Sequence, residues 1–389
     1  MQVADIRLFL RHPIPTADLD NLMNFFEHLQ RKQTSSSKLS AISRSKMVIQ
    51  EGLVCLGFLL TGLALATEAW LLSQSGLNES SYLVRHLSMH FSRVFLSVKV
   101  ESNESPTFIE AQWPVSYFPM PTVVFPHADV HAKGDHDDCS LLQQAHWSQV
   151  DALSRLWVMD IGFPGSKCSP RLFVFDLLRN NAELLRIDCG RHIGANDTKS
   201  LVVQMGPKGP VCEQERHIYF ILGKVSEIIA YDILEQTWIV RSLESHKYEN
   251  MNQSFPIRPV DFAFGIQGEL ILSDQDGDLY STVDRLEVDG KKELATNSAS
   301  NCIKLTHLGS LLGSSRSMII DNFGTLYYVI PKFGAVVRCA KLTNVTAEGN
   351  EIIYLTSKNI QQIFFTSNDA LWVLSDRILN AKEMCFPSL

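Results

Sequence analysis

From about residue 91 onward the chain alternates short apolar runs with turn residues, and no stretch keeps helical spacing for long. The runs include RVFLSVKV (93–100), RLWVMDIG (155–162), RLFVFDLL (171–178), HIYFIL (217–222), EIIAYDIL (227–234), TLYYVI (325–330), AVVRCAKL (335–342) and LWVLSDRI (371–378). Val, Ile, Phe, Tyr and Trp dominate them, the residue types that fit a pleated, half-buried surface. Aligned, the runs repeat around Val94, Leu156, Ile218, Leu270, Leu326 and Leu371, roughly 55 residues apart, a period suited to propeller blades with long loops. A further β run precedes several centres: HWSQVD, SLVVQM, VDFAFG, SMIID and QIFFT. Each is expected to be the innermost strand of its blade. The pattern predicts an all-β chain, a six-bladed β-propeller whose ring removes exposed sheet edges. Two β-sandwiches would need a linker near the midpoint, and no Pro/Ser/Gly-rich stretch there is long enough.

Upstream lies LVCLGFLLTGLALA (53–66), 14 residues without a charge. A membrane span needs about 20 apolar residues, so this run has instead the length of a signal-peptide core, and Ala64-Leu65-Ala66 supplies a small-residue cleavage pattern. Translation from Met47 would place the run where a signal belongs. The expected organisation is therefore an upstream leader (1–46), a signal peptide (47–69) and a secreted, extracellular domain (70–389), with no stable membrane span. A signal anchor is the alternative, with Arg31, Lys32, Lys38, Arg44 and Lys46 on the cytoplasmic side. Within the leader, residues 16–32 have the spacing of an amphipathic helix through Leu19, Leu22, Met23, Phe26 and Leu29.

Composition narrows the functional classes. The chain is 45% hydrophobic and carries a net charge of −7, so no basic surface for nucleic acid is expected. Cys139, Cys168, Cys189, Cys212, Cys302, Cys339 and Cys385 follow the apolar run at long spacings without C-x-x-C, which argues for disulfides over zinc. Their odd number leaves a free thiol or an intermolecular pair. Sequons at Asn78, Asn103, Asn196, Asn252 and Asn344 suit a secreted glycoprotein, with Pro106 weakening the one at Asn103.

Residues 139–187 carry a more specific signal. Cys139, Asp151, Arg155, Leu156, Trp157, Val158, Asp160, Gly162, Cys168, Pro170, Leu172, Phe175, Asp176 and Leu177 together resemble the yellow / major royal jelly protein family of insects. Weaker similarity extends over roughly residues 91–380, and Leu153 stands where the family has a cysteine. The resemblance implies a secreted six-bladed propeller, a Cys139–Cys168 disulfide and a Cys339–Cys385 disulfide. Proximity in sequence alone suggests Cys189–Cys212, leaving Cys302 free.

Catalytic signatures are missing: the chain has no G-x-S-x-G, no H-E-x-x-H and no phosphate-binding glycine loop. No cofactor and no metal is expected. HADVHAKGDHDD (127–138) lacks regular ligand spacing and reads as a solvated loop, and DQDGD (274–278) as a β-turn, not a calcium loop. Asp160, Asp176 and Asp232 end strands, either as turn caps or, for Asp160, as a carboxylate for a cationic ligand. His146, Ser200, Ser317 and Gln362 open the inner strands and are candidates to line the channel. Together with the resemblance, these residues suggest binding of a small aromatic amine, a catecholamine or indoleamine, or of another melanin precursor, in cuticle pigmentation. The alternatives are a dopachrome-converting isomerase, with His146 or Asp160 as general base, and a structural or nutritive secreted protein.

Overall fold

The computed structural model describes residues 69–77, 82–100, 106–114, 120–132, 138–209, 214–246, 254–286, 302–367, 369–375 and 378–382. The leader, the apolar run, Cys212, Cys385, Asn78, Asn103 and Asn252 lie outside them. The described chain is strand and turn; its helices are 3₁₀ turns of three or four residues. In order, the strands are β1 (Trp70–Leu71), β2 (Tyr82–His90), β3 (Arg93–Val100), β4 (Phe108–Gln112), β5 (Met120–Val124), β6 (Ala145–Val150), β7 (Arg155–Asp160), β8 (Arg171–Asp176) and β9 (Ala182–Asp188). Next come β10 (Val202–Met205), β11 (His217–Ile221), β12 (Glu227–Asp232), β13 (Thr237–His246), β14 (Phe255–Pro256), β15 (Pro259–Phe264), β16 (Glu269–Asp274) and β17 (Asp278–Arg285). The last are β18 (Cys302–Ser310), β19 (Arg316–Ile320), β20 (Leu326–Ile330), β21 (Ala335–Cys339), β22 (Asn350–Leu355), β23 (Ile360–Phe365), β24 (Leu371–Ser375) and β25 (Ile378–Lys382).

These strands form consecutive antiparallel meanders: β2–β5, β6–β9, β10–β13, β15–β18, β19–β22 and β23–β25. Their leading strands bond in cyclic order. Ser88 of β2 meets Ser148 of β6 at 2.7 Å, and Gln149 accepts from Met205 N of β10 at 3.4 Å. Gln204 donates to Phe262 O of β15, and Asp261 accepts from Met318 N of β19 at 2.8 Å. Ser317 accepts from Ile363 N of β23 at 2.9 Å, and Gln362 accepts from Leu87 N of β2 at 2.7 Å. The first and last meanders therefore meet, and the all-β array is closed and propeller-like.

The core is a ring of clusters between neighbouring meanders. Phe95, Phe108, Phe125, Phe173 and Phe175 join the first to the second. Tyr327, Val329, Ile360 and Ile363 join the last two. Side chains of opposite parity along each strand thus pack against different neighbours, which is why both faces of these strands are apolar. The array has one irregular join: β13 pairs in parallel with β18, from Ser242↔Cys302 to His246↔Thr306, fusing the outer edges of two meanders into one nine-stranded sheet. At another outer edge β1 pairs in parallel with β5.

A common turn closes the first hairpin of four meanders. It starts at Asp151, Gly265, Asp321 and Thr366. In each, the first residue's N–H donates to the carbonyl four residues on, and its carbonyl accepts from the N–H three residues on. The fourth residue is left-handed in every copy: Ser154 (φ 60°), Gly268 (85°), Gly324 (83°) and Asp369 (58°). Five residues after the start comes a fully buried leucine, Leu156, Leu270, Leu326 or Leu371, so four of the six repeat centres expected from sequence occupy one structural position.

Candidate functional site

The leading strands turn an unusual set of polar side chains toward the axis of the ring. Arg85 and His86 come from β2, His146 from β6, Gln204 from β10, Asp261 from β15, Arg316 and Ser317 from β19, and Gln362 from β23. The Arg85 guanidinium donates to His146 Nδ1 at 3.0 Å, and the other ring nitrogen of His146 lies 3.2 Å from Leu201 O. His86 Nδ1 accepts from Ser148 N at 3.4 Å, and its Nε2 lies 3.2 Å from the Gln362 side-chain amide. Both histidines keep accessible surface yet are enclosed by protein, as expected of groups that line an internal well.

The electrostatics follow from that enclosure. Burial, reinforced by His146, pushes the His86 ring down to about 3. Burial and then the Arg85 charge push His146 down to about 4. Both rings are neutral near pH 7. Burial also lowers Arg85, as does the charge of Arg316. Arg316 acts on Arg85, His146 and Asp261, which sit on three other leading strands, so its guanidinium charge is felt across the axis. Asp261 is buried, accepts N–H bonds from Phe262 at 2.9 Å and Met318 at 2.8 Å, and is pushed by burial up to about 7. Among the described residues no carboxylate ion-pairs with Arg85 or Arg316. The cluster therefore holds two guanidinium charges against one carboxyl whose charge burial suppresses.

The residues expected from sequence divide. His146, Ser317 and Gln362 belong to this axial cluster. Ser200 does not: it lies in a 3₁₀ turn before β10 and donates to Leu222 O, tying two loops together. Asp160 lies apart from the cluster: its carboxylate is buried at the end of β7 and accepts from Gln143 N (3.0 Å), Gln144 N (2.7 Å) and Gly162 N (3.0 Å), the turn-capping role. Asp176 and Asp232 are turn caps of the same kind, each accepting from the N–H groups two and three residues on. Asp274 likewise accepts from Asp276 N and Asp278 N in a β-turn.

Cys139 and Cys168 form a disulfide. Cys339 and Cys189 are buried free thiols, and Cys302 is partly exposed; Cys385 and Cys212, the expected partners of Cys339 and Cys189, lie outside the described residues. Asn196 and Asn344 are exposed. Among the described residues no group of three potential metal ligands converges. A surface hollow of about 360 Å³ beside Phe175 and Asn181 lies away from the axis and gathers no comparable charge cluster.

Arg85, His86, Asp261 and Arg316 were not among the residues singled out from sequence. Their signal is nonetheless there: an arginine–histidine pair interrupts the apolar run YLVRHLSMH, and an aspartate sits inside PVDFAF. A charge inside the otherwise apolar leading strand of a meander marks the side facing the axis.

Among known proteins, the sequence matches no family model and no curated protein. Similar solved structures include virginiamycin B lyase from Staphylococcus aureus, at 9% identity and TM-score 0.44 over 79% of this chain and 86% of that one. YCF48 from Cyanidioschyzon merolae is 11% identical, at TM-score 0.44 over 75% and 80% of the two chains. A luciferin-regenerating enzyme is 10% identical, at TM-score 0.44 over 76% and 84%. At these values no activity transfers.

Proposed function

We propose that this chain is a secreted, six-bladed β-propeller that binds a small anionic ligand in the well along its axis. The cyclic contacts among six leading strands support the blade number, with the C-terminal meander as the last blade. The Cys139–Cys168 disulfide and the apolar run at 53–66 support an oxidising, secretory setting. One observation carries the ligand class: Arg85 and Arg316 bring two guanidinium charges to the axis without a carboxylate ion-pair partner among the described residues. Arg85 is half-buried and Arg316 exposed; a half-buried guanidinium without a counter-charge is costly, and a carboxylate or phosphate that accepts its fork of N–H donors offsets that cost.

A protonated catecholamine or indoleamine would meet the same two positive charges. A melanin precursor that carries a carboxylate fits the well; a simple amine does not. Binding is favoured over proton-transfer chemistry because both ring nitrogens of His146 are already engaged and both of His86 have polar neighbours within 3.4 Å.

The test is thermal unfolding of the purified protein with inorganic phosphate, an indole carboxylate, dopamine and serotonin. At about 100 times its Kd a true ligand adds about 2.7 kcal/mol, a shift of a few degrees in a domain of this size. An anion is expected to give that shift, and Arg85→Met or Arg316→Gln to abolish it. A shift with the amines and none with the anions would overturn the reading.

A further inference from the structure

Five of the six leading strands carry one residue more than the strand they pair with. In β2 the extra residue, Arg85, lies between Val84 and His86; in β6 it is His146, between Ala145 and Trp147. In β15 it is Val260, between Pro259 and Asp261, and in β23 it is Gln361, between Ile360 and Gln362. In β19 the three steps from Arg316 to Ile319 face two on β20. β10 pairs without a break, from Val202↔Ile221 to Met205↔Ile218. The breaks share one position: His146, Val260, Arg316 and Gln361 each lie five residues before the first residue of the common turn, at Asp151, Gly265, Asp321 and Thr366. A β-bulge bends its strand and re-aims a side chain, and bulges recur beside binding sites for that reason. Beside Arg316 the aim is held against strain. Ser317 has φ 56°, a left-handed backbone that a non-glycine residue keeps only where its surroundings hold it. Its hydroxyl accepts from Ile363 N of β23, and the next N–H, of Met318, goes to the buried Asp261 of β15.

The residues at this position are not alike. In cyclic order they are Arg85, His146, Val260, Arg316 and Gln361, with no counterpart on β10. Four are polar and one is apolar. Val260 is half-buried between the buried Pro259 and Asp261, and it belongs to none of the core clusters among the described residues. Its strand, β15, is third from β2 in either direction around the cycle of axial bonds, so Val260 stands across the axis from Arg85. Resting on the anionic site argued above, we propose that its ligand is an amphipathic anion, with its charged head on Arg85 and Arg316 and its apolar body against Val260, which sets specificity. An inorganic anion leaves Val260 facing water. An apolar substituent reaching across the axis takes that surface out of water and adds to the affinity.

The test compares inorganic phosphate with phenyl phosphate by titration calorimetry on the purified protein and on Val260→Thr, which keeps the branched shape but replaces a methyl by a hydroxyl. The parent is expected to bind phenyl phosphate about tenfold or more tightly than phosphate, and Val260→Thr to weaken phenyl phosphate about fivefold while phosphate stays within about twofold. Two anions that bind the parent equally overturn the proposal and leave the anionic site standing. So does a preference for phenyl phosphate that survives in Val260→Thr, because the apolar body then sits elsewhere. Binding of neither anion overturns this proposal and the anionic reading together. Thermal unfolding without ligand checks that the variant is folded, and Val260→Ala repeats the comparison if it is not.

Discussion

At the β6–β7 turn Asp151 is buried and accepts four hydrogen bonds, from Leu153 N, Arg155 N, the Arg155 guanidinium (2.6 Å) and the Trp157 indole (2.9 Å). At the axis, Arg85 has a neutral histidine as its partner and Arg316 repels it. The turn and the axis thus hold charge in opposite ways. A charge serving the fold is bonded out by its own hairpin, while the axial guanidinium charges have no carboxylate ion-pair partner among the described residues. Charge saturation separates a structural aspartate such as Asp160 from a site residue, and proximity to a strand end does not.

The largest expected effect probes the saturated side. Asp151→Ala strips four donors of their acceptor inside a packed hairpin and is expected to cost about 3–5 kcal/mol, read by urea unfolding. A loss below about 1 kcal/mol would mean the turn holds without its carboxylate.

The next effect sharpens the axial side. Between about pH 4 and 6.5 the unfolded chain protonates both histidines while folded His86 and His146 stay neutral, so they make stability rise with pH across that window. Asp261 acts with the opposite sign: its folded carboxyl keeps a proton up to about pH 7, so its contribution falls as pH rises from about 4 to 7. Asp261→Asn removes only the falling component. Its stability, measured by denaturant unfolding at pH 4.5, 5.5 and 6.5, should rise more steeply than that of the parent. An unchanged slope would show that Asp261 titrates normally.

The smallest effect compares two copies of one turn. Asp321 accepts from the Tyr327 hydroxyl at 3.2 Å, as Asp151 does from Trp157. In the last meander Thr366 holds the aspartate position, and the buried Trp372 indole N–H has no acceptor among the described residues. In the fourth, Gly265 and Ile271 lack both partners. Thr366→Asp should restore the bond and stabilise by about 1 kcal/mol. No gain in melting temperature would mean that the indole is satisfied some other way.

Much of this was written in the chain. Alternating β runs at a steady spacing called for an all-β repeat, because side-chain parity and turn residues are local properties. The Leu-aromatic centres at 156, 326 and 371 mark the turn whose left-handed fourth residue is Ser154, Gly324 or Asp369. His146, Ser317 and Gln362 were placeable at the axis because they open inner strands. Tertiary structure alone decided the rest. It showed that β2 leads the first meander, that β13 joins β18 across 55 intervening residues, and that Asp160 is consumed by backbone N–H groups. The sign of the axial charge is likewise a sum over strands distant in sequence. Desolvation and Coulomb interactions depend on distance through space, and no local pattern encodes which charges closure of the ring brings together.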